Sequence, residues 1–309
     1  MVIGHDGEMK IVSLLPSATE IAFALGLGDS MQGRSFECDH PTGAAAVPIV
    51  SGTALTSNGS TDTAAIDTEV SDRMAAGESI YTLDDELIRT IQPDVILAQD
   101  LCRVCAVPSG DVTDALDSIG CVADVVSLDP TSLDEVIGCI GQVGAATGTG
   151  ERAELLMADL RSRVDAVRER ISDRPHRTVL VLEWGEPPFS AGHWVPDMVI
   201  AAGGESLLAA PGDRSVRLEW EAIGDAAPEV VVYSPCGFDL EGSIERSGPV
   251  LDRPELAGAA EIWVVDANAH FSRPGPRVVD GVELLGEILH PSGPNGTPDV
   301  DPAMARRLR

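Results

Sequence analysis

The side chains in this sequence that could hold a metal, carry a proton or act as nucleophiles gather in a few places. Cys102-Arg103-Val104-Cys105 lies just beyond the apolar run Asp94-Val95-Ile96-Leu97-Ala98. A CxxC pair at a helix start can have a lowered thiol pKa, which makes redox chemistry one reading. Against it, no proline separates the cysteines and Pro108-Ser109-Gly110 interrupts the segment that follows. A structural zinc would need four ligands, and no second CxxC exists, so a metal or cofactor contact and a plain structural pair stay open beside redox catalysis. Ser35-Phe36-Glu37-Cys38-Asp39-His40-Pro41 joins a thiol, two acids and an imidazole. It reads either as a metal-binding loop or as a polar loop around a buried Phe36. His193 lies in Trp184–Pro196, a stretch with two of the four tryptophans in a chain that is only 4% aromatic. No Ser or Cys is visibly paired with His193, which weakens a catalytic triad. A rigid apolar wall with His193 as a polar contact, and internal packing by the tryptophans, are the two readings of this loop.

Charge narrows the classes of partner. Fifty acidic residues against 21 basic ones give a formal charge of −29, and Lys10 is the sole lysine. A nucleic-acid backbone is therefore excluded as a partner, because phosphate binding needs a basic surface. The acids are spread along the whole chain, which points to an acidic, halophile-like protein whose self-repulsion is relieved by salt. Six cysteines in 309 residues are too few for a disulfide scaffold. Cys121 and Cys139, in apolar surroundings, are expected to be inert core thiols. The N-terminal segment MVIGHDGEMKIVSLLPSATE lacks a basic region followed by a long apolar run and a cleavage site, so no ordinary export signal is expected in it.

The elements that must position these residues centre on Gly150–Ser172. Here Ala153, Leu156, Leu160, Val164, Val167 and Ile171 recur at intervals of three or four, the period of a helix with one buried face. Acids at its start and arginines at its end suit the helix dipole. Before it, KIVSLL at 10–15 reads as a strand, Pro16–Leu25 as a helix, Val47–Val50 as an edge element, 64–76 and 84–91 as helices, and 94–98 and 122–128 as strands. A helix over 111–119 and another over 134–146 complete this half. After it, TVLVLE at 178–183 restarts the strand pattern, Trp184–Pro196 is expected to be irregular, and strands follow at 228–233 and 261–266. Helix 277–289 carries Asp280, Glu283 and Glu287 as a solvated face or as ligands, and a loose tail is expected from Pro291. Glu86 precedes Pro93 by seven positions and Glu221 precedes Pro228 by seven, an echo that favours two lobes of related topology.

IVSLLPSATEIAFALG, SFECDHP, the run from Tyr81 ending in QDLCRVCAV, and EWGEPPFSAGHWVPDMVIAAGG resemble the cobalamin-binding branch of the vitamin B12/iron-siderophore substrate-binding proteins, over about residues 10–290. The resemblance implies two Rossmann-like α/β lobes, 1–149 and 173–309, joined by one long α-helix at 150–172. It implies a non-enzymatic monomer that holds cobalamin or a related corrinoid between the lobes, with no catalytic cofactor. Ser17, Phe36, Trp184, Phe189, His193, Trp194 and Phe238 map to ligand-binding positions. Glu86 and Glu221 map to the acids that dock an ABC transporter permease dimer. Cys38, Cys102, Cys105 and His193 are the candidates for metal contact, His193 as a cobalt ligand. Such a protein is extracytoplasmic. The alternatives are a cytoplasmic corrinoid, haem or metal binder, and an enzyme using Cys102, Cys105 and His193.

Overall fold

Ile11–Ser13 (β1) is fully buried, as a central parallel strand must be when helices cover both its faces. Its neighbours follow from the computed structural model of the chain, which describes residues 9–57, 60, 62–100, 110, 112–113, 115–116 and 120–309. Helix α1, Pro16–Ala24, begins on a proline at its first position, where the missing N–H costs nothing. The first half continues with β2 (Met31–Ser35), β3 (Ile49–Thr53), α2 (Thr63–Ala75), β4 (Tyr81–Leu83), α3 (Asp85–Ile91), β5 (Val95–Ala98), β6 (Asp124–Ser127) and α4 (Leu133–Thr147). The sheet order is β4-β3-β2-β1-β5-β6, parallel throughout except for the antiparallel β3/β4 edge.

One expectation fails in this half: Val47–Val50 is not an edge element, since β3 lies inside the sheet and β4 takes the edge. The run MQGRS, which ends at Ser35, forms β2. Its polar letters hide a strand that packs through Gly33, where a Cβ would come 2.7 Å from Val50 Cγ1 and 3.1 Å from Val12 Cγ2. The expected helix at 111–119 falls largely on residues outside those described; Val112 and Leu116 are buried in the core with Ile88 and Ile96.

Helix α5, Gly150–Ile171, runs unbroken for 22 residues, about 33 Å at 1.5 Å per residue. Contacts divide the chain into two units. One comprises Met1–Asn58, Thr68–Asp129 and Ile137–Met157; the other comprises Gly59–Asp67, Pro130–Val136 and Ala158–Arg309. The helix therefore contributes its first two turns to one and the remainder to the other. In the first unit Arg152 Nη1 donates to the carbonyl of Leu25 at 2.7 Å, capping the end of α1 beside Gly26, whose φ of 72° needs no side chain.

The second unit contains β7 (Arg177–Gly185), β8 (Pro188–Ser190), α6 (Val195–Ala201), β9 (Gly204–Ser206), α7 (Trp220–Ala226), β10 (Val230–Tyr233), α8 (Leu240–Glu245), α9 (Gly248–Leu251), β11 (Glu261–Val265), α10 (Ala267–His270), α11 (Val278–Leu289) and β12 (Ala305–Arg307). Its sheet runs β12-β11-β10-β7-β8, and β9 also pairs with β7. The parallel set β9-β7-β10-β11 repeats β2-β1-β5-β6 of the first unit. Three expectations are corrected here. Trp184–Pro196 is not irregular, since β7 continues through Trp184 and turns into β8. Pro188 opens that strand, a place where a missing N–H is tolerated. The tail is not loose: β12 pairs antiparallel with β11, and Glu287 accepts from the N–H groups of Ser292 and Asp299. Asp280 and Glu283 are neither ligands nor a merely solvated face. Both pair with Arg163 of α5, and Glu287 pairs with Arg170 at 3.6 Å, so α11 grips the long helix by its charges.

Candidate functional site

In the first unit the candidate residues stand at the carboxyl end of β1 and β2. Leu15 occupies the N-cap of α1, and no side chain caps the helix. Ser17 is buried in the first turn. Thr19 instead donates to Ser13 Oγ at 2.9 Å and approaches Cys38 Sγ at 3.0 Å. Cys38 is thus a buried, hydrogen-bonded thiol under the loop. Phe36 is half-buried, held by its N–H to Ser51 O at 3.2 Å. His40 and Asp39 are exposed. Among the described residues, no group of three or more His, Cys, Asp or Glu side chains could hold a metal ion, so Cys38 and His193 belong to no metal cluster there. Cys102 and Cys105 lie outside the described residues. Cys121 and Cys139 are buried, and burial pushes the Cys121 thiol up.

In the second unit the hairpin and the β10 loop bring three candidates together. Trp184 and Phe189 are register partners across β7 and β8, and the Trp184 ring stacks on Phe238 with centroids 6.0 Å apart and planes 29° apart. Offset stacking of this kind is the preferred aromatic arrangement. Phe238 follows β10 and is fixed at its carbonyl by Asn268 N–H at 3.0 Å. Its position was hard to foresee because 54 residues separate it from Trp184; only the β7–β10 pairing of Leu182 with Tyr233 makes them neighbours.

Trp194 and His193 do different work. Trp194 is buried and its indole N–H donates to Phe271 O at 2.8 Å, which commits it to packing between α6 and α10. His193 sits at φ 54°, with its N–H on Asp213 O at 2.6 Å and its carbonyl accepting from Gly212 N–H. Burial, then the nearby Arg214 charge, lower its pKa, keeping a neutral imidazole at pH 7.

Arg246 and Tyr233 were missed by the sequence reading. The Arg246 guanidinium lies 3.8 Å over the Phe238 ring, and Tyr233 is buried, its hydroxyl without a hydrogen-bond partner among the described residues. Burial raises the Tyr233 pKa, partly offset by Arg246 and reinforced by Glu186. An arginine in SIERSG carries no sequence signal of this role.

Glu86 and Glu221 are each the second residue of a seven-residue helix, α3 and α7. Both helices end on a left-handed residue immediately before proline, Gln92 at φ 51° and Ala227 at φ 46°. Both glutamates are exposed, and neither enters an ion pair among the described residues. The two acids are thus equivalents within the repeated topology.

Residues 11–258 match the family described as Periplasmic binding protein. An uncharacterised ABC transporter substrate-binding lipoprotein, YvrC, of Bacillus subtilis is 26% identical over 289 residues, covering 91% of this chain and 80% of that protein. A vitamin B12-binding protein of Yersinia pestis is 24% identical over 281 residues, with 89% and 84% covered. In fold, the chain is similar to a periplasmic heme binding protein from Pseudomonas aeruginosa, with a TM-score of 0.70, 19% identity and 96% of each chain covered.

Proposed function

Because the chain belongs to the periplasmic binding protein family, matched over residues 11–258, we propose that it captures cobalamin or a related corrinoid and delivers it to an ABC importer. The family is a class of non-catalytic substrate-binding proteins that work outside the cytoplasmic membrane, and the unbroken α5 runs from one α/β unit into the other. Among the described residues, no helix is long and apolar enough to cross a membrane.

The observation that carries the ligand reading is the aromatic surface of Trp184, Phe189 and Phe238 at the carboxyl ends of β7 and β10. Ligands of open α/β sheets bind outside the carboxyl ends of strands. Broad aromatic faces suit a corrin ring, and backbone and hydroxyl groups suit its amide edge. Within the second unit His193 offers its neutral imidazole to the ligand, and Trp194 fixes the loop that carries it; Ser17 and Phe36 hold the corresponding strand ends of the first unit. The name of the Yersinia relative agrees with a corrinoid. Haem is the second reading, favoured by the fold likeness to a protein named for heme binding.

Glu86 and Glu221, placed alike on α3 and α7, are the docking acids for the permease dimer. Reconstitution of the cognate importer in vesicles tests delivery. The wild-type protein stimulates ATP-driven uptake of cyanocobalamin, whereas Glu86→Lys with Glu221→Lys retains ligand affinity and loses uptake. Uptake undiminished by the double reversal contradicts the docking assignment.

A further inference from the structure

Arg246 is a costly residue for its position. Its side chain is only 5% exposed, and the carboxylate paired with it among the described residues is that of Glu245, 3.7 Å away on a side chain 65% exposed. Burying a cation without a close counter-ion is unfavourable unless other groups replace its water. Here the replacements are two carbonyls, Gly242 O at 2.9 Å and Ser60 O, together with the face of Phe238 at 3.8 Å. Nε has no hydrogen-bond partner among the described residues. A hydrocarbon of similar length would fill the same space at no such cost, so packing alone does not account for the charge.

The surroundings converge on the Phe238 ring. The cation holds one face of the ring, and Trp184 stacks against it with planes 29° apart. Cation–π attraction strengthens as both partners leave water.

We propose that Arg246 is a positioning residue, which through its cation–π contact fixes the Phe238 ring against Trp184 and so sets the shape of the ligand-facing aromatic wall. That the wall faces ligand rests on the functional reading above. The position of the rings does not, and the two are separable by experiment.

The test compares Arg246→Met, which keeps the length and removes the cation, with Arg246→Lys, which keeps the cation. In the ligand-free protein the Trp184 contribution to near-ultraviolet circular dichroism is isolated by subtracting a Trp184→Phe partner in each background. Arg246→Met loses most of that contribution and Arg246→Lys recovers it. With cyanocobalamin as probe, Arg246→Met weakens binding about tenfold and Arg246→Lys restores it, as loss of a desolvated cation–π contact predicts. A Trp184 signal unchanged in Arg246→Met overturns the proposal, as does a signal lost equally in the methionine and lysine variants. If the signal is lost in methionine and restored in lysine while the wild-type protein binds neither cyanocobalamin nor haemin, the positioning role stands and the ligand reading falls. If Arg246→Met does not fold, Arg246→Gln takes its place: the proposal requires its loss of signal to vanish in a Phe238→Leu background, and an undiminished loss there refutes it.

Discussion

Replacing Arg163 by methionine should loosen the grip of α11 on the long helix. The guanidinium donates from Nε to Glu283 Oε1 at 2.9 Å and from Nη2 to Glu283 Oε2 at 2.6 Å and Asp280 Oδ1 at 2.5 Å. The forked hydrogen bonds to Glu283, opposed by burial and joined by the one to Asp280, hold the arginine pKa above its ordinary value. The arginine and Asp280 side chains are each 33% exposed and Glu283 is 43% exposed, so solvent screens the charges and the full value of a buried pair does not apply. Loss of a bidentate, half-buried pair leaves two like charges one helical turn apart, and the cost is about 1–2 kcal/mol. For a unit of this size that lowers the midpoint of thermal unfolding by about 2–8 °C. Differential scanning calorimetry at low and at molar salt is the assay. The loss should shrink as salt screens the repulsion, and Asp280→Asn with Glu283→Gln in the Arg163→Met background should restore part of it. A midpoint unmoved at low salt, or a loss that grows with salt, refutes the reasoning.

Three further outcomes follow from local geometry. Glu69 accepts from the N–H groups of Thr56 and Ser57 at 2.8 Å each, and hydrogen bonds from Ser57 and then Thr56 lower its pKa to about 2. Since the folded pKa is depressed, its contribution is present above the unfolded carboxylate range and is lost as pH falls through about 2; Glu69→Gln should raise amide exchange at residues 56–57 at neutral pH and erase that acid dependence. His290 is held neutral, its pKa lowered first by burial, with Nε2 3.2 Å from Gly203 O. Its contribution is complete above the unfolded histidine pKa of about 6.5 and is lost as pH falls below it, so His290→Gln should flatten the fall in thermal midpoint between pH 7.5 and 5.5; an equal fall in the variant argues otherwise. Gly33→Ala should destabilise the first unit by about 1–3 kcal/mol in urea unfolding, because the new methyl meets Val50 at 2.7 Å between paired strands; an unchanged midpoint would mean that β2 shifts freely.

The strands that were legible in the sequence are those buried on both faces. IVS, VILA, VVVY and EIWVV are apolar runs because helices cover both sides of a parallel sheet, and they became β1, β5, β10 and β11. MQGRS and ARR were illegible for the opposite reason. β2 packs through a glycine, and β12 lies on an edge where arginines reach solvent or Glu261, so neither shows strand periodicity. The long helix announced itself by period, and the pairing of its arginines with Asp280, Glu283 and Glu287 did not, because acids at three- and four-residue spacing look the same whether solvated or paired.

The candidate site was legible only by residue type. Trp184, Phe189 and Phe238 were marked as rare aromatics, and the stack between two of them depends on the β7–β10 register. Glu86 and Glu221 were marked by a shared spacing to proline, and the paired helices with left-handed ends give that spacing its structural cause. Arg246 gave no signal, since a buried cation is recognised by the carbonyls and ring around it rather than by its neighbours in sequence.

Calorimetric titration with cyanocobalamin, followed in parallel by visible absorption and repeated with cobinamide and haemin, tests the central claim most directly. Saturable binding of one corrinoid per chain, weakened in Trp184→Ala and Phe238→Ala variants that unfold at the wild-type temperature, is the predicted result. Absence of saturable binding for all three ligands, or corrinoid binding indifferent to both substitutions, contradicts it.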